Sequence, residues 1–287
     1  MQSKPKTITG YESDQVELVL MTCRYVCTIL GDFMDEIVIV GGLVPSLIID
    51  QSNLPEGVES HAGTTDLDIG LSVAVYDDRL YQNITERLRG AGFKPDTNEK
   101  GNPTSQRWQI NESGGKVTLD FLIPATKEDV GTLKRFKNLE KDFAALPTDG
   151  LMLAFEDYVE VAMDGLTIKG EMIENRKIRV CGPGAFVVLK SIAFGNRGEN
   201  KDAYDLFYTI RNYGDGPEEV AERFLSLGTN EHCDRALTIL RNNFLKIGAV
   251  GTSRAAQFLL GEDADDEDLQ AEVTGFVNRF IEACNKP

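Results

Sequence analysis

Long hydrophobic runs are missing from this sequence of 287 residues. No stretch of about 18 consecutive apolar residues occurs, so we expect no membrane-spanning helix. The N-terminal segment MQSKPKTITGYESDQ also lacks the apolar core of a secretory signal. The five cysteines are an odd number and form no CxxC pair, which favours a reducing compartment over a disulfide framework. The sequence thus predicts a cytoplasmic protein, in which Cys23 and Cys27, one helical turn apart, pack in the core.

The chain also has few histidines and a negative net charge. His61 and His232 are the two histidines of the chain, which argues against a histidine dyad or a multi-histidine metal site. The net charge of −16 means that any surface for nucleic acid must be local. One stretch of basic residues could supply such a surface: Lys127, Lys134, Arg135, Lys137 and Lys141. The alternative is that this stretch is the solvated face of a helix.

Hydrophobic periodicity divides the chain into two parts. The first part alternates helical patterns with short β-branched runs, and its runs SQRWQINE and KVTLDFLI are joined by a Ser-Gly-Gly turn. After Pro183 nearly every segment has helical spacing. We therefore expect an α+β fold, with a mixed sheet and covering helices over residues 1–180 and a helical domain over residues 181–287.

A glycine pair follows a short apolar run that predicts a strand. Gly41 and Gly42 come after EIVIV and precede LVPSLIID, which can form a helix that packs back on that strand. Glycine allows the backbone to approach a ligand closely, and the amides at a helix N-terminus favour phosphate. A tight strand–helix turn without a ligand is the alternative interpretation.

Three aspartates occur within two predicted strands. Asp66 and Asp68 are two residues apart in TTDLDIGL, so their side chains point to one face of the strand. Asp120 lies between Leu119 and Phe121, in a second strand that could pair with the first. Burying like charges side by side is costly, and carboxylate oxygens suit Mg²⁺ or Mn²⁺. The pattern indicates a divalent-metal site, although a helix cap or a sheet edge would explain the first pair alone.

A lysine lies within an apolar helical segment further along the chain. Lys190 is surrounded by apolar residues in FVVLKSIAF, which is an unusual place for a merely solvated lysine. Because lysine binds triphosphate through its charge, Lys190 is a candidate phosphate ligand. Four charged residues follow it and could also belong to the site: Arg197, Lys201, Asp202 and Asp205. The alternative interpretation is that these residues form exposed ion pairs on a helix surface.

These features occur in the order found in one enzyme family. The glycine pair in VIVGGLVPSL, the acids in TTDLDI, the lysine in FVVLKSIAF and the segment RGENKDAYDL together span roughly residues 36 to 210. In these motifs the chain resembles the AbiEii-type nucleotidyltransferases of the polymerase-β-like superfamily, which act as toxins in bacterial toxin–antitoxin and phage-defence pairs. The helical segments beyond about residue 215 do not contribute to the resemblance.

The resemblance implies a polymerase-β-like nucleotidyltransferase fold and assigns roles by position. It implies that Asp66 and Asp68 hold Mg²⁺ or Mn²⁺ and that Asp120 is the third acid of this catalytic metal site. Gly41 and Gly42 are implied to form the nucleotide-binding turn. The remaining implied roles belong to the helical part: Lys190 on the triphosphate, Asp202 as a second catalytic acid, and Arg197, Lys201 and Asp205 in support.

The chain departs from the family pattern at the glycine turn and in the loop after it. The usual serine of the turn is missing, since Leu43 follows Gly42, and Ser46 is the next hydroxyl that could contact phosphate. The interval from Gly42 to Asp66 is also long and contains an inserted loop. His61 belongs to this loop, and we expect it to be a surface residue rather than a ligand.

Together with the resemblance, these residues predict the transfer of a nucleoside monophosphate from an NTP to an acceptor, with release of pyrophosphate. The resemblance alone implies that the acceptor is RNA, at the 3′ end of tRNA, and that a cognate antitoxin is a partner. A small molecule or a protein hydroxyl is an alternative acceptor. A catalytically silent fold that serves as a binding partner is the alternative from a different class of function.

Overall fold

The computed structural model describes residues 5–72, 78–97, 101, 103–112, 114–125, 134–135 and 144–285. Over these residues the chain forms an α+β fold with a nine-stranded mixed sheet and ten α-helices. Within the same ranges, none of the helices has the length and apolar character needed to cross a membrane. The basic stretch from Lys127 to Lys141 lies outside the described residues, apart from the backbone at 134–135, and its role remains a prediction.

The described strands of the sheet all lie between Ile37 and Cys181 in the sequence. The described strands are β1 (Ile37–Val40), β2 (Asp66–Leu71), β3 (Lys94–Thr97), β4 (Pro103–Glu112), β5 (Gly115–Pro124), β6 (Lys134–Arg135), β7 (Ala144–Thr148), β8 (Tyr158–Leu166) and β9 (Met172–Cys181). Their order is β3-β4-β5-β2-β1-β9-β8, and β7 pairs with the end of β5 and with β6. The pairs β1–β9, β2–β5 and β5–β7 are parallel, and the other described pairs are antiparallel.

Four helices are interspersed with the strands, and six follow the sheet. The first group comprises α1 (Ser13–Ile29), α2 (Val44–Ile48), α3 (Asp78–Gly90) and α4 (Leu153–Glu156). The second group comprises α5 (Pro183–Arg197), α6 (Asn200–Asn212), α7 (Pro217–Ser226), α8 (Glu231–Phe244), α9 (Val250–Leu260) and α10 (Glu267–Cys284). The α+β class, the mixed sheet and the C-terminal helical region predicted from the sequence are therefore confirmed. The assignment to a polymerase-β-like fold remains a prediction.

Strand β5 presents one apolar face and one more polar face. Val117, Leu119, Phe121 and Ile123 are buried, and the residues between them are half-buried. Alternation along the strand therefore turns Asp120 to the face opposite these apolar side chains. The predicted hairpin is also present, because β4 and β5 pair in antiparallel register from Glu112 with Gly115 onwards.

Helix α1 supplies part of the apolar layer that packs against the sheet. Val19, Cys23, Val26 and Cys27 are buried in this helix, and the helix contacts β5, β8 and β9. The predicted core packing of the two cysteines is confirmed. Burying apolar area at roughly 25 cal/mol per Å² makes this layer a main source of stability.

Helix α5 connects the sheet to the C-terminal helices. A single residue, Gly182, separates it from β9. The helix begins at Pro183 and stops at Gly198, whose left-handed φ of 65° ends it. Most of its residues are buried, and it packs against α6, α7 and α8. A single hydrophobic cluster includes side chains of the sheet, α1, α5 and the following helices. The helices that carry the predicted phosphate-binding residues are thus held against the sheet.

Asp157, between α4 and β8, also ties the sheet to this helix. Its buried carboxylate accepts a hydrogen bond from the backbone amide of Ala185 at 2.8 Å, in the first turn of α5. It also pairs with Arg223 of α7, whose Nε lies 2.7 Å from Asp157 Oδ1. One carboxylate therefore caps α5 and neutralises a cation of a second helix.

We expect Asp157→Ala to lower the free energy of unfolding by about 3 kcal/mol, because it uncaps α5 and leaves Arg223 without its carboxylate. Urea denaturation followed by circular dichroism measures the change. Glu160→Ala is the control, since the pair of Glu160 with Lys177 is exposed, and we expect its effect to stay within about 1 kcal/mol. Equal effects of the two substitutions would contradict the role assigned to Asp157.

Candidate functional site

The three predicted acids come together on neighbouring strands. Strands β2 and β5 are parallel, and Asp68 is the register partner of Asp120. Asp66, two residues before Asp68, extends from the same face of β2. Carboxylate oxygens of the three residues lie within 4.8 Å of one another. The prediction that a second strand brings Asp120 beside the other two acids is confirmed, and we call these three residues the acidic triad.

The glycine pair packs directly against this triad. Gly41 begins a 3₁₀ turn after β1 and has a φ of 75°, a conformation that favours glycine. A Cβ at this position would overlap the carboxylate of Asp68. The neighbouring Gly42 faces Thr64, whose hydroxyl donates a hydrogen bond of 2.9 Å to Asp66 Oδ1. The absence of side chains at the turn therefore makes room for the acids and for the hydroxyl that orients one of them.

Arg107 on β4 also contacts the triad, and it was not among the site residues predicted from the sequence. Its Nε donates to Asp120 Oδ1 at 2.8 Å, and its Nη2 donates to Asp120 Oδ2. The same Nη2 lies 3.8 Å from Asp66 Oδ2. The hydrogen bond to Asp120 raises the pKa of Arg107 above its ordinary value, against the effect of burial. Counting the hairpin register from its turn would have found this residue, since Arg107 is the partner of Asp120.

Lys190 forms the centre of a buried cluster of charges on α5 and α6. Its Nζ lies 2.9 Å from Asp202 Oδ1 and 2.7 Å from Asp205 Oδ2. Arg197 binds Asp202 through a forked pair of hydrogen bonds of 2.6 and 2.7 Å. Burial acts to raise the pKa of Asp202, but the charges of Lys190 and Arg197 outweigh it and hold that pKa below its ordinary value. Both aspartates therefore stay ionised.

Lys201 completes this cluster from the following turn. Its ammonium pairs with Asp205 and lies 5.3 to 5.7 Å from the ring centroids of Tyr11, Tyr204 and Phe258. Burial lowers the pKa of Lys201 to about 8, although Asp205 opposes the shift. The interpretation of these pairs as exposed ion pairs on a helix surface is wrong for Lys201 and both aspartates, because their side chains are buried. We call the five charged residues the lysine cluster: Lys190, Arg197, Lys201, Asp202 and Asp205.

The expectation that His61 is a surface residue is wrong. Its side chain is buried, stacks on Tyr204 with ring centroids 5.4 Å apart, and places Nε2 at 2.9 Å from Asp205 Oδ1. The backbone amide of Gly63 donates to its Nδ1 at 3.1 Å, so the proton of the neutral ring is on Nε2 and is donated to Asp205. Burial lowers the pKa of His61 to about 4 and keeps the ring neutral near pH 7.

Ser46 contacts this histidine. Its Oγ lies 2.8 Å from His61 Nδ1, in a position to donate to the same nitrogen as the amide of Gly63. The hydroxyl predicted for phosphate thus takes part in a chain of hydrogen bonds from α2 through His61 to Asp205 of α6. This chain links the helix that follows the glycine pair to the lysine cluster.

The structure brings the predicted residues of the glycine turn, the acidic triad and the lysine cluster close together. A Cβ on Gly42 would lie 3.0 Å from Thr64 Oγ1 and 4.0 Å from Asp205 Oδ2, so this glycine lies between the two charged groups. A negative group and a group rich in cations therefore lie next to each other across a tight backbone turn. Such an arrangement can bind a cation and an anionic group side by side.

We expect the folded protein to lose stability on acidification through His61. An unfolded histidine binds a proton near pH 6.5, whereas His61 in the folded protein does so only near pH 4. The stabilising contribution is therefore complete above pH 6.5 and falls by about 2 kcal/mol between pH 7 and pH 5. Urea denaturation over this pH range measures the slope.

His61→Gln removes the titrating ring and keeps an amide that can donate to Asp205, so we expect this variant to lose that slope. His232→Gln at the second histidine is the matched control, and the slope that His61 contributes should remain in it. An unchanged slope in His61→Gln would show that the ring titrates like an exposed histidine.

Comparison with known proteins does not identify a family for this chain. No protein-family model matches it, and a search of curated proteins finds no match. The functional interpretation therefore depends on the residues of the site and on their geometry.

Proposed function

We propose that this protein is a Mg²⁺-dependent nucleotidyltransferase, for which Mn²⁺ can substitute. The observation that carries the proposal is the acidic triad on β2 and β5, packed against the glycine turn and beside the buried lysine cluster. An acceptor hydroxyl attacks the α-phosphorus of an NTP, the bond to the β-phosphate breaks, and pyrophosphate leaves. The hydroxyl proton passes to a carboxylate of the triad.

The triad fits a divalent cation by the chemistry of its donor set. Three carboxylates with oxygens within 4.8 Å offer the hard, anionic ligands that Mg²⁺ and Mn²⁺ prefer. Asp66, Asp68 and Asp120 would hold the ion, and the ion would neutralise them and polarise the phosphate. Thr64 orients Asp66 through its hydrogen bond, and Gly41 leaves the space that the carboxylate of Asp68 occupies.

The lysine cluster supports binding of the triphosphate. It contains three cationic side chains and two carboxylates, and His61 beside it is neutral near pH 7. The cluster thus keeps a net positive charge below the pKa of Lys201, which is about 8. Of its cations, Arg197 is the most exposed, with 48% of its side chain accessible. Its guanidinium can bind phosphate oxygens in a forked geometry while Asp202 holds its position.

RNA, at the 3′ end of tRNA, is the acceptor that we propose, and the protein then acts as a toxin that a cognate antitoxin controls. The support for this acceptor and for the toxin role is the resemblance of the four motifs to AbiEii-type enzymes. A small molecule or a protein hydroxyl would use the same metal and triphosphate sites. The identity of the labelled product distinguishes these acceptors.

We expect the purified protein to transfer label from an α-³²P-labelled NTP to RNA of tRNA size in the presence of Mg²⁺. Asp66→Asn and Asp68→Asn each remove a carboxylate that would hold the ion, so we expect either change to reduce labelling about 100-fold or more. Asp96→Asn is the matched control, because Asp96 is a strand carboxylate that pairs with Lys116 on another part of the sheet. Gel electrophoresis with each of the four NTPs measures transfer and nucleotide preference.

Label on a protein or on a small molecule instead of RNA would contradict the proposed acceptor. The proposed nucleotidyltransferase activity would still be supported. Label that persists in Asp66→Asn and Asp68→Asn would contradict the role of the triad.

We also expect Mg²⁺ and an NTP together to stabilise the folded protein. A ligand at about 100 times its Kd adds about 2.7 kcal/mol to the free energy of unfolding, which thermal denaturation detects as a higher Tm. The shift should persist in Asp96→Asn and be lost in Asp68→Asn. If the wild type shows neither this shift nor labelling, the chain is a catalytically silent fold and the proposed function is wrong.

A further inference from the structure

Arg107 contacts one carboxylate of the acidic triad and lies close to a second. Its Nη2 donates to Asp120 Oδ2 and lies 3.8 Å from Asp66 Oδ2. The triad oxygens are themselves within 4.8 Å of one another. A positively charged nitrogen therefore lies close to two of the carboxylates that an ion held by the triad would need.

The guanidinium also engages both oxygens of Asp120. Nε lies 2.8 Å from Oδ1, and Nη2 binds Oδ2, so the carboxylate faces Arg107 in a forked pair. Only 20% of the Arg107 side chain and 19% of the Asp120 side chain are accessible, which limits screening of this pair by water. A divalent cation bound to the same carboxylates and the guanidinium would repel each other strongly.

We propose that Arg107 is the resident counter-ion of the acidic triad and that a divalent cation displaces it. The proposal rests on the metal site of the proposed function and adds a residue that controls access to it. In the protein without bound nucleotide, Arg107 neutralises carboxylates that would otherwise repel one another. The guanidinium that leaves Asp120 is then available to phosphate oxygens of the NTP beside the triad. Binding of the cation and of the nucleotide is therefore coupled, because each favours the same position of Arg107.

A simpler role for Arg107 makes the opposite prediction. A carboxylate oxygen has a second lone pair, so Arg107 could orient Asp120 from behind as a metal ligand. Loss of an orienting residue weakens metal binding, whereas loss of a competing cation strengthens it. The affinity of the protein for Mn²⁺ alone distinguishes the two roles without reference to enzymatic activity.

The experiment is a titration of the full chain with Mn²⁺, in which electron paramagnetic resonance measures the free ion. We expect Arg107→Gln to bind Mn²⁺ about tenfold more tightly than the wild type, because the competing charge is removed. Arg107→Lys keeps the charge but cannot form the fork, so its affinity should lie between the two. Lys116→Gln is the matched control, since it removes a cation from the same strand as Asp120 but at the position paired with Asp96, and its affinity should equal that of the wild type.

Circular dichroism checks that each variant folds, and Arg107→Lys carries the test if Arg107→Gln does not fold.

Tighter binding in Arg107→Gln and Arg107→Lys, with no change in Lys116→Gln, supports displacement. Equal or weaker binding in the Arg107 variants, while the wild type binds Mn²⁺, overturns the inference and leaves the proposed function intact. If neither the wild type nor the variants bind Mn²⁺, the metal site of the proposed function is wrong and the inference fails with it.

Discussion

The buried ion pairs of Lys190 are the interaction on which the arrangement of the site depends. Removing an ammonium and two carboxylates from water is costly, so Lys190 remains charged only because Asp202 and Asp205 lie 2.7 to 2.9 Å away. These contacts hold α5 against α6. Through Asp205 they also fix His61, and through His61 they reach Ser46 on the helix after the glycine turn. A change at Lys190 would therefore disturb both halves of the site.

The site contains two groups of charged residues, and their excess charges are opposite in sign. In the lysine cluster, cations outnumber carboxylates, and most of the side chains are buried. In the acidic triad, carboxylates outnumber the cation that Arg107 supplies. Among these residues, positive charge is in excess in the lysine cluster, and negative charge is in excess in the triad together with Arg107. A metal-bound triphosphate has the complementary charges, which is why the proposed function assigns the ion to the triad and the phosphates to the lysine cluster.

Much of the site could be predicted from the sequence because its geometry is local. Alternation along a strand placed Asp66 and Asp68 on one face, and the apolar neighbours of Asp120 marked it as a strand residue that needs a partner. The prediction for His61 and the alternative interpretation of the charges on α6 as exposed ion pairs were wrong for one physical reason. The burial of a loop or of a helix face depends on which distant element covers it, and residues near in sequence do not encode that. Tyr204 and Tyr208, one turn apart on α6, cover His61 across a separation of more than 140 residues.

The sequence by itself determined the helical C-terminal region, the strands that carry the three aspartates, and the types of residue available for chemistry. Periodicity and glycine or proline at the ends of elements depend on steric rules and hydrogen bonds within a few residues. Only the tertiary structure decided which charges meet. The parallel pairing of β2 with β5 formed the triad, the β4–β5 hairpin brought Arg107 to it, and the packing of α6 enclosed Asp205. Charge pairing in a buried site depends on distances of a few ångströms, and for residues far apart in the sequence chain packing sets those distances.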